Sequence, residues 1–477
     1  MEGLWERAAG EASASPRVLI ISENASVRYG GEAILPWHYF RLLRRRGVEA
    51  WLVVHSRTRA ELTGLLPEEA DRMYFLPDTA TNKLAWRLGR FLPARLSDFT
   101  LGFVSRLTTQ LAARKLARRL IAEHRVDVVH QPIPVSPREP SLLHGLGVPV
   151  VIGPMNGNMS FPPAFETGAG AMAVALSRRA TNLMNRLIPG KLRASFLLVA
   201  NERTRRGLPA GGRGEVVELD ENGVDLEVWS PPRERGRREG PARFAFLGRL
   251  VSWKAVDLLL EALARVETQP PPELEILGDG AIRGDLEALA ERLGLGDRVR
   301  FLGWRSQAQC AQRLREVDAL VLPSLYECGG AVVLEAMACG LPVLATAWGG
   351  PADYLDDSCG ILVPPDTRES FIAGLADGLT RLGADPELRR RLGRAGRDRV
   401  EQTFDWEIKI DTILDIYHRA IGRTTPRPAE AAAKFRSPAS ALNAPTSPPR
   451  EVRRRGRAGR SRSRRAGRDR GCRPGSR

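Results

Sequence analysis

Six short apolar runs in the second half of the chain leave few folds open. "FAFLG" (Phe244–Gly248), "LEILG" (Leu274–Gly278), "VRFLG" (Val299–Gly303), "ALVLP" (Ala319–Pro323), "PVLAT" (Pro342–Thr346) and "GILVP" (Gly360–Pro364) recur with helix-period segments between them. Continuous apolar strands alternating with helices require a parallel sheet covered on both faces. The first half repeats the pattern less cleanly, in "RVLIIS" (Arg17–Ser22), "VEAWLVVH" (Val48–His55), "VDVVH" (Val126–His130), "VPVVIG" (Val148–Gly153) and "FLLVA" (Phe196–Ala200). An amphipathic helix is expected over 32–46 and another from Phe404. Between the halves, "ENGVDLEVWSPPRERGRREGPAR" (Glu221–Arg243) is rich in proline, glycine and charge and reads as a linker. The fold class is therefore α/β: two doubly wound domains, the second more regular than the first.

At 477 residues there is ample chain for two such cores. The net charge of +16 is mostly local, since residues 424–477 carry sixteen Lys and Arg against three acids, or +13 of it. That segment has almost no apolar residues to bury and is expected to be a disordered Arg-rich tail, with no specific nucleic-acid partner. The five cysteines include no C-x-x-C pair, so reduced thiols are expected rather than a disulfide framework or zinc site. The start "MEGLWERAAGEASASPR" has acids and no apolar core, and no run of eighteen apolar residues occurs. Neither a signal peptide nor a transmembrane helix is expected, and the expected location is cytoplasmic.

Ligands of doubly wound folds bind at the carboxyl ends of the strands, where helix N-termini present free N–H groups. The stretch "SLYECGGAVVLEAMACGLPVLATAWGGPADYL" (Ser324–Leu355) falls there, with Glu327 and the glycines in a loop and Glu335 inside the next helix. Eight residues of helix would put the carboxylates about 12 Å apart. That is too far for a paired acid/base mechanism, but it suits two groups gripping hydroxyls on different parts of one extended ligand. Gly329 and Gly330 would let the backbone approach an anion at the helix start. In "FLGRLVSWKAVDLLLEAL", Arg249 and Lys254 follow a strand and start a helix, where a diphosphate would find two cations. Gly30 and Gly31 after the first strand could cradle a phosphate. "NGVD" (Asn222–Asp225) reads as a turn.

In combination, "GRLVSWKAVDLLLEA", "LYECGGAVVLEAMACGLPVLATAWGGPADYL" and "GILVPPDT" resemble the retaining glycosyltransferases of family 4, in a bacterial polysaccharide-type branch, over Arg17 to about Ile421. The resemblance implies the GT-B fold, with two Rossmann-like domains facing across a cleft. Residues 1–222 would form the acceptor-side domain and 223–403 the nucleotide-sugar domain, with helix 404–423 crossing back onto the first and 424–477 as the tail. Glu327 would contact hydroxyls of the transferred sugar, Glu335 the ribose, and Arg249 and Lys254 the donor diphosphate. The donor site implied comprises Gly30, Gly31, Arg249, Lys254, Glu327, Cys328, Gly329, Gly330, Ala331 and Glu335, with His130, Arg249, Lys254 and Glu327 catalytic. The loop "GPMNGNMSFPP" is assigned to acceptor or sugar contacts through Asn156, Gly157 and Asn158. Cys328-Gly329 stand where the family often has glycine and then an aromatic or proline, and Ala255 follows Lys254 in place of glycine.

The mechanism implied is retention at the anomeric carbon. The nucleoside diphosphate leaves, and the acceptor hydroxyl attacks, on the same face, while the departing phosphate oxygen takes the acceptor's proton. No D-x-D metal motif occurs, and the cationic pair can stabilise the leaving group, so no metal or other cofactor is expected. The partners expected are a nucleotide-sugar donor carrying a hexose-type sugar and a glycan or polyprenyl-linked acceptor of exopolysaccharide or lipopolysaccharide synthesis. The stretch "LGFVSRLTTQLAARKLARRLIAEHR" (Leu101–Arg125) packs its apolar face on the first domain in this reading. Its basic face offers a peripheral contact with an anionic membrane, at the inner face of the plasma membrane. The alternatives are a non-catalytic GT-B-fold binding protein, a sugar-nucleotide epimerase or phosphorylase, and a dinucleotide enzyme. The last lacks its G-x-G-x-x-G pattern, "GDGAIRGD" not supplying it.

Overall fold

The computed structural model describes residues 15–28, 31–89, 91, 98–166, 170–232 and 240–422. The expectations for Gly30, for the centre of the linker and for the tail 424–477 lie outside these residues.

Two parallel sheets organise the chain. The first contains β1 (Val18–Ile21), β2 (Ala50–His55), β3 (Met73–Leu76), β4 (Val128–Gln131), β5 (Val150–Met155), β6 (Phe196–Val199) and β7 (Glu215–Glu218), in spatial order 3-2-1-4-5-6-7. The second contains β8 (Arg243–Leu247), β9 (Glu273–Leu277), β10 (Val299–Gly303), β11 (Ala319–Leu322), β12 (Val343–Thr346) and β13 (Gly360–Val363), in order 10-9-8-11-12-13. Every strand the apolar runs announced is present. The unannounced ones, β3 and β7, are the edge strands: β7 (Glu-Val-Val-Glu) turns its two acids to solvent and so lacks an apolar run, whereas β3 (Met-Tyr-Phe-Leu) is a short apolar run that sequence reasoning missed. Along β1 the side chains alternate between two cores: Val18 and Ile20 face one, Leu19 and Ile21 the other.

Seven helices position the site and its approaches: α1 (Leu35–Arg45), α2 (Ala80–Gly89), α3 (Phe103–His124), α4 (Gly170–Leu187), α5 (Val256–Ala264), α6 (Ala331–Ala338) and α7 (Trp406–Ala420). Helix α7 follows the second sheet in sequence, yet it buries Trp406, Ile410, Ile413, Ile416 and Tyr417 in the core of the first. Those five positions share one helical face, and each contributes about 2 kcal/mol of burial. Asp405 caps the helix through the Glu407 N–H, and Arg46 of the first domain pairs with the Glu407 carboxylate at 2.6 Å.

The linker expectation needs correcting over its first nine residues. Val224 exchanges backbone hydrogen bonds with Phe404 (2.8 Å) and Trp406 (3.2 Å), and Glu221, Asn222, Val224 and Trp229 are buried. Composition suggested a solvated spacer. Pairing with the chain that enters α7 instead satisfies the segment's backbone and allows it to pack.

In each sheet the strand order reverses once, at β1/β4 and at β8/β11. The crevice beyond the carboxyl ends at such a reversal is where doubly wound folds bind ligands.

Candidate functional site

The β8/β11 reversal brings two sequence-distant loops together. The loop after β8 carries Arg249 and Lys254, and that after β11 carries Glu327. The Lys254 ammonium forms an ion pair with the Glu327 carboxylate, both side chains being largely buried. Arg249 is exposed, its guanidinium 6.0 Å from the centre of the Trp253 ring, and it makes no ion pair among the described residues. One cation is thus held by a carboxylate while another stands free at the same sheet edge, a basic mouth beside an acidic floor.

Glu327 is followed by Cys328, Gly329 and Gly330, and then α6 begins at Ala331 with no side chain capping it. Gly330 occupies the left-handed region (φ +75°), which a residue with a Cβ adopts only at a cost. Gly329 is required for closeness: a Cβ there would lie 2.2 Å from Asn222 Nδ2 and 3.0 Å from Glu221 Oε2. The loop therefore lies directly on the connection between the domains. The uncapped N-terminus of the helix leaves its first N–H groups free directly behind the two glycines. Glu335, on the second turn of α6, is half-buried and has no cation partner among the described residues. Burial alone pushes its carboxyl up to about 8. A buried carboxylate without a protein partner costs free energy that a hydrogen-bonding ligand would recover.

The first domain reaches this loop through "GPMNGN". Asn156 Nδ2 donates to the Cys328 carbonyl at 2.9 Å, and Arg203 Nη2 donates to the same oxygen at 3.4 Å. Arg203 also pairs with Asp353 at 3.0 Å, joined by Asn201 Nδ2 at 2.9 Å, and Trp348 Nε1 donates to the Ser160 carbonyl at 2.9 Å. Of the three residues assigned to this loop, only Asn156 crosses to the other domain. The Gly157 N–H donates to Thr204 Oγ1 (3.1 Å) and the Asn158 amide joins Arg138 and Arg203, so both are occupied within the first domain. Gly31 (φ +54°) opens an exposed turn after β1, and burial first, then the charge of its neighbour Glu32, pushes up the Glu221 carboxyl. The Cys328 thiol stands at about 11, chiefly through burial.

The choice of His130 as a catalytic group is corrected by its surroundings. It is fully buried, with Nε2 2.6 Å from the Gly153 carbonyl and Nδ1 2.7 Å from the Tyr417 hydroxyl. Nε2–H donates to the carbonyl and Nδ1 accepts from the hydroxyl, which fixes the neutral tautomer. Burial lowers its pKa to about 4. Nδ1 fastens α7 to the first sheet and Nε2 ties β4 to its neighbour β5, so neither ring nitrogen is left without a partner.

Sequence reasoning missed a layer beneath the loop. On α7, the Lys409 ammonium donates to the carbonyls of Glu221 (2.7 Å), Asn222 (2.8 Å) and Asp220. Asn222 Nδ2 in turn donates to the Tyr354 hydroxyl at 3.0 Å, and Asp225, read as part of a turn, pairs with Arg41 at 2.5 Å. Glu221 is buried, its carboxyl pushed up to about 7 chiefly by desolvation. The available signal was a lysine on the apolar face of an amphipathic helix, where a charge persists only if something buried needs its hydrogen bonds.

Residues 229–399 match the family described as Glycosyl transferases group 1. D-inositol 3-phosphate glycosyltransferase of Kribbella flavida is 36% identical over 227 residues, covering 44% of this chain and 52% of that protein. The Mycobacterium marinum protein of the same name is 34% identical over 248 residues, covering 49% and 52%. The chain thus spans about half the length of these curated relatives. Among solved structures, Anabaena HepE in complex with UDP aligns over 84% of this chain and 100% of its own, with TM-score 0.58 at 16% identity. Sucrose-phosphate synthase from Thermosynechococcus elongatus aligns over 86% and 100%, with TM-score 0.59 at 20% identity. At such identities the likeness is one of fold, and the fold shared is GT-B.

Proposed function

Because its second domain belongs to the glycosyl transferases group 1 family, of the family 4 type, we propose that this chain is a retaining glycosyltransferase. It moves a hexose-type sugar from a nucleotide-sugar donor to a hydroxyl of a glycan or lipid-linked glycan. One observation carries the reading: Arg249, Lys254 and Glu327 converge at the β8/β11 reversal, in front of the uncapped N-terminus of α6.

The chemistry follows from that placement. Arg249, Lys254 and the first N–H groups of α6 face the donor diphosphate and stabilise the charge that grows as it leaves. Lys254 is held in position by Glu327 before the donor binds, so little side-chain reorganisation is needed. Glu327 then accepts hydrogen bonds from the sugar hydroxyls and Glu335 from the ribose. The acceptor hydroxyl approaches on the face the diphosphate leaves, and a departing phosphate oxygen takes its proton. No protein nucleophile is involved, the protein's share being position and electrostatics. The cationic pair supplies the leaving-group stabilisation, and transfer is expected to persist in EDTA. The contacts from Asn156, Arg203 and Trp348 support a closed state that excludes water from the donor. The reaction belongs on the cytoplasmic side, where nucleotide sugars are made. No helix among the described residues is long and apolar enough to cross a membrane.

HepE was solved with UDP and with UDP-glucose, which makes UDP-sugars the first donors to try. The curated relatives' names favour a second acceptor reading, an inositol phosphate in place of a growing glycan. The test is a thermal-shift screen against UDP-, GDP-, ADP- and TDP-sugars, followed by transfer assays on inositol phosphate and on polyprenyl-linked glycans. Stabilisation by one nucleotide family, lost in Lys254→Ala, supports the reading; no shift with any donor overturns it.

A further inference from the structure

The reversal of the first sheet, at β1/β4, opens a pocket that none of the donor residues lines. It lies between the carboxyl ends of these strands and α3 and holds about 30 Å³, enough for two ordered waters. Its apolar lining includes Ile21 and Leu143. Its polar lining includes Glu23 just past β1, Gln131 at the end of β4, Glu139 in the segment that follows, and Gln110 of α3. A small pocket with a few convergent polar groups, at the carboxyl edge of a doubly wound sheet, has the make-up of a ligand site.

The two amides of the pocket differ in a telling way. Gln110 is occupied at both ends, Oε1 accepting from the Leu142 N–H at 2.9 Å and Nε2 donating to the Pro140 carbonyl at 3.5 Å. Gln131 is only 3% exposed; its Oε1 accepts from the Ser141 hydroxyl at 2.6 Å, but its Nε2 has no hydrogen-bond partner among the described residues. An amide so deeply placed ordinarily has its N–H groups paired, and this one is left for an occupant of the pocket. Glu23 and Glu139 each have one arginine nearby, Arg57 at 3.5 Å and Arg106 at 2.8 Å. Neither arginine lines the pocket, nor does any other Lys or Arg among the described residues.

Glu32 links this pocket to the donor loop. Its carboxyl is raised by burial, lowered in part by the Val135 N–H, and raised further by Glu139. After burial, Glu32 is in turn the strongest influence on Glu221, which lies against Gly329. We propose that the pocket is the acceptor's subsite and seats the hydroxyl edge of a sugar or cyclitol ring that bears no phosphate. The Gln131 Nε2–H donates to one hydroxyl oxygen, and the ring's hydroxyls donate to the free oxygens of Glu23 and Glu139. A phosphate in the same place would meet two carboxylates and no cation. The pocket therefore favours a glycan over an inositol phosphate as acceptor. That the ring is the acceptor rests on the glycosyltransferase reading; that the pocket binds it does not.

The experiment titrates the full chain by saturation-transfer NMR with a matched pair, myo-inositol and inositol 3-phosphate, and with methyl α-D-glucopyranoside. Both neutral rings should bind, and the phosphate should bind at least about tenfold more weakly than myo-inositol. Glu23→Gln/Glu139→Gln removes both charges at partly exposed positions and should shrink that ratio at least about fivefold. Gln131→Leu should weaken both neutral rings at least about tenfold; if its melting temperature shows that it does not fold, the double variant decides alone. Phosphate bound as tightly as myo-inositol overturns the proposal, as does a parent that binds neither neutral ring. Variants indistinguishable from the parent place the ring elsewhere and overturn it too. Nucleotide release from UDP-, GDP-, ADP- and TDP-sugars, with each neutral ring as acceptor, is followed in parallel. Ring binding without donor turnover tells against the glycosyltransferase reading and leaves the pocket standing; turnover that the pocket variants do not alter does the reverse.

Discussion

Glu335→Gln should make the donor-free protein more stable and the donor weaker to bind, with a defined pH signature. The Glu335 carboxyl is raised from 4.5 to about 8 by burial, without a cation beside it among the described residues. In full, that displacement corresponds to about 5 kcal/mol of unfavourable ionisation. The side chain keeps some solvent access, which leaves about 2–3 kcal/mol. The sign follows from linkage. Below pH 4.5 the carboxyl is protonated in both folded and unfolded chains and costs nothing. Between 4.5 and about 8 the unfolded chain ionises while the folded one resists, so stability drains away as pH rises, and above about 8 the loss is constant. Gln never ionises. The variant should match the parent at pH 4.5 and exceed it by about 2–3 kcal/mol at pH 8.5 in urea denaturation. In a saturating UDP-sugar that advantage should shrink by about 1.4–2.7 kcal/mol, because a carboxylate accepting two hydroxyl hydrogen bonds loses about ten- to a hundredfold in affinity on becoming an amide. A Gln variant no more stable than the parent at pH 8.5, or one whose advantage grows as pH falls, would refute the reasoning.

Three further outcomes test neighbouring parts of the structure. Gly329→Ala places a methyl 2.2 Å from Asn222 Nδ2, so the donor loop must lift from the interdomain connection; kcat/KM should fall about tenfold or more while the melting temperature changes little. Lys409→Met leaves the carbonyls of residues 220–222 without their buried donor and should cost about 3–5 kcal/mol in urea denaturation. For His130, lowered to about 4, the sign opposes that of Glu335: the parent should lose about 3 kcal/mol relative to His130→Gln between pH 6.5 and 4, as the unfolded imidazole takes up a proton that the buried one refuses. The pH profile of kcat should show no limb from that group.

What was legible in the sequence was whatever buries apolar area in a regular pattern. The strands flanking each reversal of order are central and covered on both faces, and so read as short apolar runs, VLII in β1, FAFL in β8 and ALVL in β11. Glu327 and Lys254 were readable as charges in the loops that follow two central strands, and the structure joins them in one ion pair. His130 misled by a similar placement. It ends a central strand at the right edge, but what decides its role is Tyr417, 287 residues later on α7, and no local pattern announces that partner. Asn156 and Asn158 look alike in "MNGN", and only the packing of the two domains separates the one that crosses to Cys328 from the one held by Arg138.

The layer beneath the loop shows why a crossover helix is more than a fastening. Lys409 gathers three successive carbonyls of the interdomain connection, and the side chains of that connection, Glu221 and Asn222, lie against Gly329. The loop bearing Glu327 rests on residues 221 and 222 of that connection. A displacement of either residue would reach the loop directly, because Gly329 has no side chain to act as a spacer. The first domain fixes the same loop from above through Asn156 and the Cys328 carbonyl. The loop that bears Glu327 is therefore one short segment held from both sides. A substitution on α7, remote from any ligand, should for that reason alter turnover and donor affinity together.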